Sequence, residues 1–109
     1  MAIVLSGLGV VTVAAPGTPV ALSAVPVACK RFTLYGYKSL NPPVANTGAV
    51  YIFTPGTNGS KAKPSYIIPS GQSIVIDRPR SDAGFYDLST LSVDADTASD
   101  GIVVGYSQE

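Results

Sequence analysis

The stretch of the sequence that most suggests chemistry is "DADTASDG", residues 94–101, which places three aspartates in eight positions. Carboxylates at this density are typical of calcium loops, of paired acid–base catalysts and of tight turns. An EF-hand loop needs oxygen ligands at its first, third and fifth positions, Gly at the sixth and Glu at the twelfth. Asp94 and Asp96 meet the first two requirements, but Ala, Ser and Gly occupy the fifth, sixth and twelfth positions. The stretch is therefore not an EF-hand loop.

Two other interpretations of the aspartates stay open. Asp94, Asp96 and Asp100 could converge in a looser calcium site, or they could accept hydrogen bonds from backbone N–H groups in a turn between two strands. Asp and Gly around a Thr-Ala-Ser centre favour the turn. Hydrolysis by paired carboxylates needs a cleft, usually with aromatic walls, and this chain of 109 residues is short and has no Trp. We therefore predict a turn in a protein that is not an enzyme and needs no cofactor.

The histidine and cysteine content excludes several other kinds of site. The chain has no His, which removes Ser-His-Asp and Cys-His catalysis, zinc sites with His ligands and the usual pH switch near neutrality. Cys29 is the single cysteine, so no disulfide can form within the chain. We expect Cys29 to be a small buried hydrophobic residue, as free cysteines commonly are.

The aromatic side chains could form a stacking platform for sugars or bases. In a β-rich chain without Trp, packing in the core and at its rim is the more common role of such residues. A recognition module that binds glycans through its tyrosines and the loop "GTNGSKAK", residues 56–63, is nevertheless an alternative function. The aromatic residues concerned are Tyr35, Tyr37, Tyr51, Tyr66, Phe85 and Tyr86.

Charges of opposite sign are segregated along the chain. Residues 1–81 carry seven cations and one anion, a net charge of +6, and residues 82–109 carry six anions and no cation, a net charge of −6. The two segments could neutralise each other within the fold, or the acidic end of one chain could meet the basic loop of another. Neither arrangement favours nucleic acid as a partner, because neither assures a large patch of one sign.

The first 29 residues are uncharged and largely apolar, but they do not resemble a signal peptide or a membrane span. No Lys or Arg precedes the apolar run, and Pro16, Pro19 and Pro26 interrupt it before it reaches the roughly 18 residues that a span needs. We expect no membrane association. Residues 1–16 are predicted to be an apolar N-terminal arm or an edge strand, and residues 17–109 a single domain.

Strand-like segments recur along the chain with turn signals between them. "LGVVTVA" and "AVYIF" are rich in strand-forming residues, and "ACKRFTLYGYKSL" alternates so that Phe32 and Leu34 share one face. Pro69 belongs at a turn or an edge, where a missing N–H costs little. We predict an all-β fold, either an antiparallel β-sandwich or a small barrel of jelly-roll type.

Several stretches together resemble the small β-rich virion proteins of tailed bacteriophages, the group that includes capsid decoration or cement proteins. The last of these stretches resembles the C-terminal hairpin of such proteins, and residues 1–16 and 56–64 depart from the pattern. The stretches are "GTPVALS" (17–23), "CKRFTL" (29–34), "NTGAVYI" (46–52), "IPSGQSIVI" (68–76) and "DLSTLSVDADTASDGIVVGY" (87–106).

The resemblance implies a β-sandwich or jelly roll on the outer surface of the virion capsid, where it binds the major capsid protein. It also implies a homo-oligomer, most often a trimer. A tail, neck or fibre component is an alternative within the same group. Three segments supply the residues that we expect to contact partners: the apolar leader (residues 1–16), the basic loop (residues 56–64) and the acidic turn (residues 94–101). The residues are Ile3, Val4, Leu5, Leu8, Lys61, Lys63, Asp94, Asp96 and Asp100.

Overall fold

The chain forms antiparallel β-structure, as predicted. A computed structural model describes residues 4–77 and 84–108. Its regular elements, in chain order, are β1 (Val4–Thr12), β2 (Val20–Ala21), β3 (Ala28–Cys29), β4 (Arg31–Tyr35), β5 (Tyr37–Leu40), β6 (Pro43–Ala45), β7 (Val50–Phe53), β8 (Tyr66–Ile68), β9 (Ser73–Asp77), β10 (Tyr86–Asp87), a 3-10 helix (Leu88–Thr90), β11 (Ser92–Ala95) and β12 (Gly101–Gln108). Within the described ranges, no helix is long and apolar enough to cross a membrane.

Two four-stranded sheets make up the sandwich. The first sheet has the strand order β1-β12-β4-β9, and the second sheet has the order β2-β11-β7-β8. Two short pairs, β10 with β3 and β5 with β6, complete the strand pairing of the described residues. The inner faces of both sheets contribute to one hydrophobic cluster, so the arrangement is a β-sandwich.

Alternation along β4 explains how the first sheet builds its half of the core. Phe32 and Leu34 are 1% and 0% exposed, whereas Arg31 and Tyr35 project from the opposite face. The predicted long strand through this region is, however, interrupted at Gly36. A Cβ atom at Gly36 would lie 2.7 Å from the carbonyl oxygen of Pro69, so the chain needs glycine here before it continues into β5. Pro69 itself lies between β8 and β9, where a turn was expected.

The acidic turn joins the two sheets. β11 pairs with β2 and β7, while β12 pairs with β1 and β4, so the last two strands lie in different sheets. The resemblance implied that the last two strands form a C-terminal hairpin. That expectation is wrong, because β11 and β12 each hydrogen-bond to other strands of their own sheet. Within the turn, Ser99 adopts a φ of 70°, a left-handed conformation that non-glycine residues seldom adopt.

The apolar leader is an edge strand, one of the two forms expected for it. β1 pairs with β12 from Val4 to Thr12, which is an earlier start than the strand expected from "LGVVTVA". The pairing register shifts between Gly7 and Gly9, and Gly9 has a φ of 74°. This β-bulge needs glycine because its backbone is left-handed there.

The outer faces of the two sheets differ in how far the chain covers them. On the second sheet, Phe53, Ser92 and Asp94 point away from the core and yet are buried. A Cβ at Gly59 would lie 3.0 Å from the Cβ of Phe53, so the loop that contains Gly59 packs closely over this face. On the first sheet, the β5–β6 hairpin packs against β1 and β12, and large apolar side chains elsewhere on the outer face remain exposed.

Two glycines of β12 should respond in opposite ways to replacement by alanine. A Cβ at Gly101 would lie 2.7 Å from the carbonyl oxygen of Val11, so Gly101→Ala should lower the free energy of unfolding by about 1–3 kcal/mol. A Cβ at Gly105 meets only the carbonyl oxygen of Ser6, at 3.9 Å, so Gly105→Ala should raise that free energy by about 0.5–1 kcal/mol. Urea unfolding in dilute solution measures both, and equal destabilisation by the two variants would contradict the packing described.

Candidate interaction surface and the aspartate turn

Asp100 fixes one loop of the sandwich against the start of β12. Its carboxylate is fully buried and accepts hydrogen bonds from the backbone N–H groups of Thr47 at 2.9 Å and Gly48 at 2.8 Å. The neighbouring Asn46 side chain donates to the carbonyl of Gly101 at 2.7 Å and accepts from its N–H at 3.0 Å. Together these side chains satisfy buried backbone groups of Gly101, beyond the end of the β4–β12 pairing, and partly buried N–H groups of the loop.

Asp94 has the same role on the other side of the turn. Its side chain is 2% exposed and accepts hydrogen bonds from the N–H groups of Gly17 at 3.0 Å and Ala95 at 2.7 Å. Gly17 lies in the loop between β1 and β2, so this carboxylate ties that loop to the outer face of the second sheet. The bond links residues that are 77 positions apart in the chain.

Asp96 lies at the surface and is bound by side chains. Tyr51 donates its hydroxyl to the carboxylate at 2.6 Å, and the Lys61 amine lies 3.1 Å away. The Tyr51 hydrogen bond, followed by that of Lys61, lowers the pKa of Asp96, and the same Asp96 bond raises the pKa of Tyr51. The Lys61 amine also donates to the Ala95 carbonyl at 2.9 Å and lies 5.7 Å from the centre of the Tyr51 ring.

The three aspartates therefore act as separate structural acceptors, each facing a different segment of the chain. Among residues 4–77 and 84–108, no group of three or more His, Cys, Asp or Glu side chains comes together as a metal site. The predicted turn with carboxylates bound to backbone N–H groups is confirmed for Asp94 and Asp100. The expectation that Asp94 and Asp100 contact partners does not fit the fold, which buries both side chains.

The other residues predicted to contact partners are distributed unevenly. Leu5 is 83% exposed on the outer face of the first sheet, and Lys63 is exposed in its loop. Leu8 is half-buried and packs against the core, where it serves the fold. Ile3 lies outside the described residues, and Val4 is placed only as the first residue of β1.

Within the described part of the chain, the ion pair of Lys61 with Asp96 joins the basic and acidic segments. It supports neutralisation within the fold, one of the two arrangements considered from the sequence. Because both side chains are partly exposed, such a pair contributes little to stability.

An apolar depression, which the sequence alone did not indicate, lies where β4, β5 and β12 meet. It has a volume of 270 Å³. Tyr35 and Val103 lie directly opposite each other in the β4–β12 register, which places both side chains on the outer face of the first sheet. We call this site the tyrosine depression; its lining residues are Tyr35, Tyr37, Leu40, Pro43 and Val103.

A second depression on the same face is a groove of 430 Å³ along β4 and β12. Gly105 of β12 lines it together with Thr33 and Ser107, and Gly7 of β1 lies opposite Gly105 in register. Leu5, Arg31 and Tyr35 are among the residues that line it, so Tyr35 is shared with the tyrosine depression. We call this groove the glycine furrow.

The remaining aromatic residues do not form one platform with Tyr35 and Tyr37. Tyr66 and Phe85 line a separate depression of 280 Å³. Tyr86 packs edge-on against Phe32 with ring centres 5.1 Å apart and an interplanar angle of 78°. Tyr86 therefore packs at the rim of the core, which is the more common role expected of these aromatic residues.

Cys29 is buried, as predicted, and is 3% exposed. Burial, with a smaller contribution from the nearby charge of Asp87, raises the pKa of the thiol to about 11. The thiol is therefore protonated at neutral pH and is a poor nucleophile. Asp87 also begins the short 3-10 helix, where its side chain accepts from the Ser89 N–H at 3.0 Å.

Comparison with known proteins returns no match: no protein-family model, curated protein or solved structure corresponds to this chain.

Replacing Asp100 tests its role in holding the loop. Asp100→Asn keeps the shape but turns an NH₂ group toward one of the two N–H donors, Thr47 or Gly48. We expect the free energy of unfolding to fall by about 1–3 kcal/mol, because a partly buried donor loses its acceptor and meets another donor at a fully buried side chain. Asp96→Asn, at the exposed end of the same turn, is the matched control and should cost less. Denaturant unfolding measures both, and a larger loss for Asp96→Asn would contradict the assigned roles.

Proposed function

We propose that this chain is a non-enzymatic structural protein that works by binding neighbouring proteins, and specifically a capsid decoration protein of a tailed bacteriophage. The observation that carries the proposal is the outer face of the first sheet. There Leu5, Val75 and Tyr35 are 83%, 53% and 40% exposed, and Leu40 of the β5–β6 hairpin, which packs against this sheet, is 49% exposed. The resemblance of the sequence to small virion proteins supplies the phage assignment.

These exposed side chains belong to one continuous surface. Tyr35 lines both the glycine furrow and the tyrosine depression, which reach Leu5 on one side and Leu40 on the other. Val75 pairs with Thr33 in the β4–β9 register and so lies on the same face. Arg31, Thr33 and Ser107 lie between the apolar side chains, so the surface is mixed in character. Single exposed apolar residues are common on proteins, but several large ones around concave sites on one face are typical of a protein-binding site.

The contrast with the second sheet strengthens the proposal. The chain covers Phe53, Ser92 and Asp94 on the outer face of that sheet with its own loops. A comparable covering over the first sheet would remove Leu5 on β1 and Val75 on β9 from water, and the described residues supply none there. We infer that a neighbouring protein supplies it in the assembled particle.

On this proposal, the tyrosine depression receives an apolar side chain of the major capsid protein on the outer surface of the shell. Tyr35 and Tyr37 offer large, rather rigid contact area, and tyrosines are enriched in protein interfaces for that reason. Bound copies would add buried area between shell subunits and so stabilise them.

A glycan-recognition role is a second candidate, because Tyr35 and Tyr37 line the same concave site. Tyr66, which belongs to a different depression, would have no part in it. A tail, neck or fibre component would share the fold and would differ in copy number.

The stoichiometry of purified phage particles tests the proposed function. Quantitative mass spectrometry of particles that carry this gene should find the chain at a copy number comparable with that of the major capsid protein. A shell stripped of the chain should then rebind the wild-type protein and lose its ability to rebind a Tyr35→Ala/Leu40→Ala variant. The loss is expected because both side chains line the proposed contact.

The matched control for rebinding is a Tyr66→Ala/Ile67→Ala variant, which removes two exposed side chains from the edge of the second sheet. It should rebind like the wild type. Only a few copies per particle would point to a tail or neck component, and absence from particles would contradict the proposal. Glycan binding that Tyr35→Ala and Tyr37→Ala abolish and Tyr66→Ala retains would favour the recognition module.

A further inference from the structure

The asparagines of the chain differ in whether their side chains can react with the backbone that follows them. An Asn side chain closes a five-membered succinimide ring when the backbone nitrogen of the next residue attacks its carbonyl carbon, Cγ. Glycine as the next residue favours this reaction, because it has no Cβ to hinder the approach and its backbone is the most adaptable. The asparagines are Asn41, Asn46 and Asn58. Of these, Asn58 precedes a glycine, Gly59.

The other two asparagines are blocked. Pro42 follows Asn41 and has no N–H to supply the attacking nitrogen. Asn46 is 4% exposed, and the nitrogen and the oxygen of its side chain are both hydrogen-bonded to the backbone of Gly101. The N–H of the next residue, Thr47, donates to a buried carboxylate at 2.9 Å. Ring closure at Asn46 would therefore break three hydrogen bonds of the fold.

Asp100 also precedes a glycine and could form the same ring, but the fold holds both reacting groups. Its carboxylate is fully buried and accepts hydrogen bonds from Thr47 and Gly48. The Gly101 N–H donates to the side chain of Asn46 at 3.0 Å. The local structure, and not the pair of residues alone, thus decides which site can react.

Asn58 has none of these restraints. Its side chain is exposed in the loop between β7 and β8. Among residues 4–77 and 84–108, neither this side chain nor the Gly59 N–H has a hydrogen-bond partner. The attacking nitrogen and the carbon that it attacks therefore lie in neighbouring residues, and no hydrogen bond of the fold has to break for them to meet.

We propose that Asn58 is a site of spontaneous covalent modification, at which water converts its side-chain amide to a carboxylate through a succinimide formed with Gly59. The Gly59 nitrogen gives up its proton to the solvent and bonds to Cγ of Asn58, while the bond from Cγ to Nδ2 breaks and ammonia leaves. Water then opens the ring at either of its two carbonyl groups. Opening at Cγ gives aspartate, and opening at the backbone carbonyl gives isoaspartate, whose main chain is one carbon longer. The net reaction consumes one water, releases one ammonia and involves no oxidation or reduction.

The modification should change how this loop covers the second sheet. A Cβ at Gly59 would lie 3.0 Å from the Cβ of Phe53, so the Gly59 backbone is tightly packed over the outer face. Isoaspartate inserts a main-chain carbon directly before Gly59 and displaces it, because close-packed contacts transmit such a change. Either product also adds a negative charge three residues before Lys61, which pairs with Asp96. The inference concerns the second sheet and does not depend on the proposed shell-binding face.

Incubation of the folded wild-type chain in water enriched in heavy oxygen, at mildly alkaline pH, tests the inference. Peptide mass spectrometry should find heavy oxygen accumulating at Asn58, with Asn41, Asn46 and Asp100 unchanged. Ion-exchange chromatography should show a matching form with one more negative charge. Asn58→Gln should lose this form, because glutamine would have to close a six-membered ring, which forms far more slowly. Conversion at Asn58 in the urea-unfolded chain but not in the folded chain, or equal conversion at Asn46, would overturn the inference.

Thermal unfolding tests the effect on the loop and separates the added charge from the longer main chain. Freshly purified Asn58→Asp carries the charge without the extra carbon. The isoaspartate form of the wild type, isolated after incubation, should unfold about 4 °C or more below both the fresh wild type and fresh Asn58→Asp. Incubated Asn58→Gln should unfold like its fresh sample. An isoaspartate form that unfolds at the temperature of the fresh wild type would contradict the displacement of Gly59.

Discussion

The sandwich depends on buried carboxylate and amide side chains that satisfy the backbone of its loops. Asp100 and Asn46 hold residues 46–48 against the start of β12, and Asp94 holds Gly17 against the second sheet. Without these partners, the buried N–H of Gly101 and the partly buried N–H groups of Gly17, Thr47 and Gly48 would lose their hydrogen bonds, and the buried carboxylates would lose their donors. The turn between β11 and β12 can then cross from one sheet to the other, and the strands on either side keep their register.

The sequence predicted the parts of this fold that local rules govern. Alternation placed Phe32 and Leu34 in the core, and the turn chemistry of residues 94–101 identified structural aspartates. It did not predict which sheet each strand joins, because β11 and β12 are assigned by partners far along the chain. The bond from Gly17 to Asp94 spans 77 positions and has no local signal.

The candidate surface was only partly predictable for a related reason. The alternation of side chains along β4 places Tyr35 on the face opposite to that of Leu34. The apolar character of residues 1–16 made Leu5 a candidate contact residue. Whether that face is covered depends on the loops and hairpin of the whole domain. The fold buries Phe53, Ser92 and Asp94 on the outer face of the second sheet and leaves Ile67 exposed at the edge of that face. On the outer face of the first sheet it leaves Leu5, Tyr35 and Val75 exposed. The same sheet thus serves the core on one side and, as we propose, neighbouring proteins on the other.

Amide hydrogen exchange, followed by NMR with and without calcium, tests the structural role of the aspartates most directly. We predict that the N–H groups of Gly17, Thr47 and Gly48 exchange far more slowly than those of Thr57 and Asn58, which lie in an exposed loop. Calcium should not change these rates, because the carboxylates already face backbone donors. Fast exchange at Thr47 and Gly48, or protection that appears only with calcium, would contradict the account.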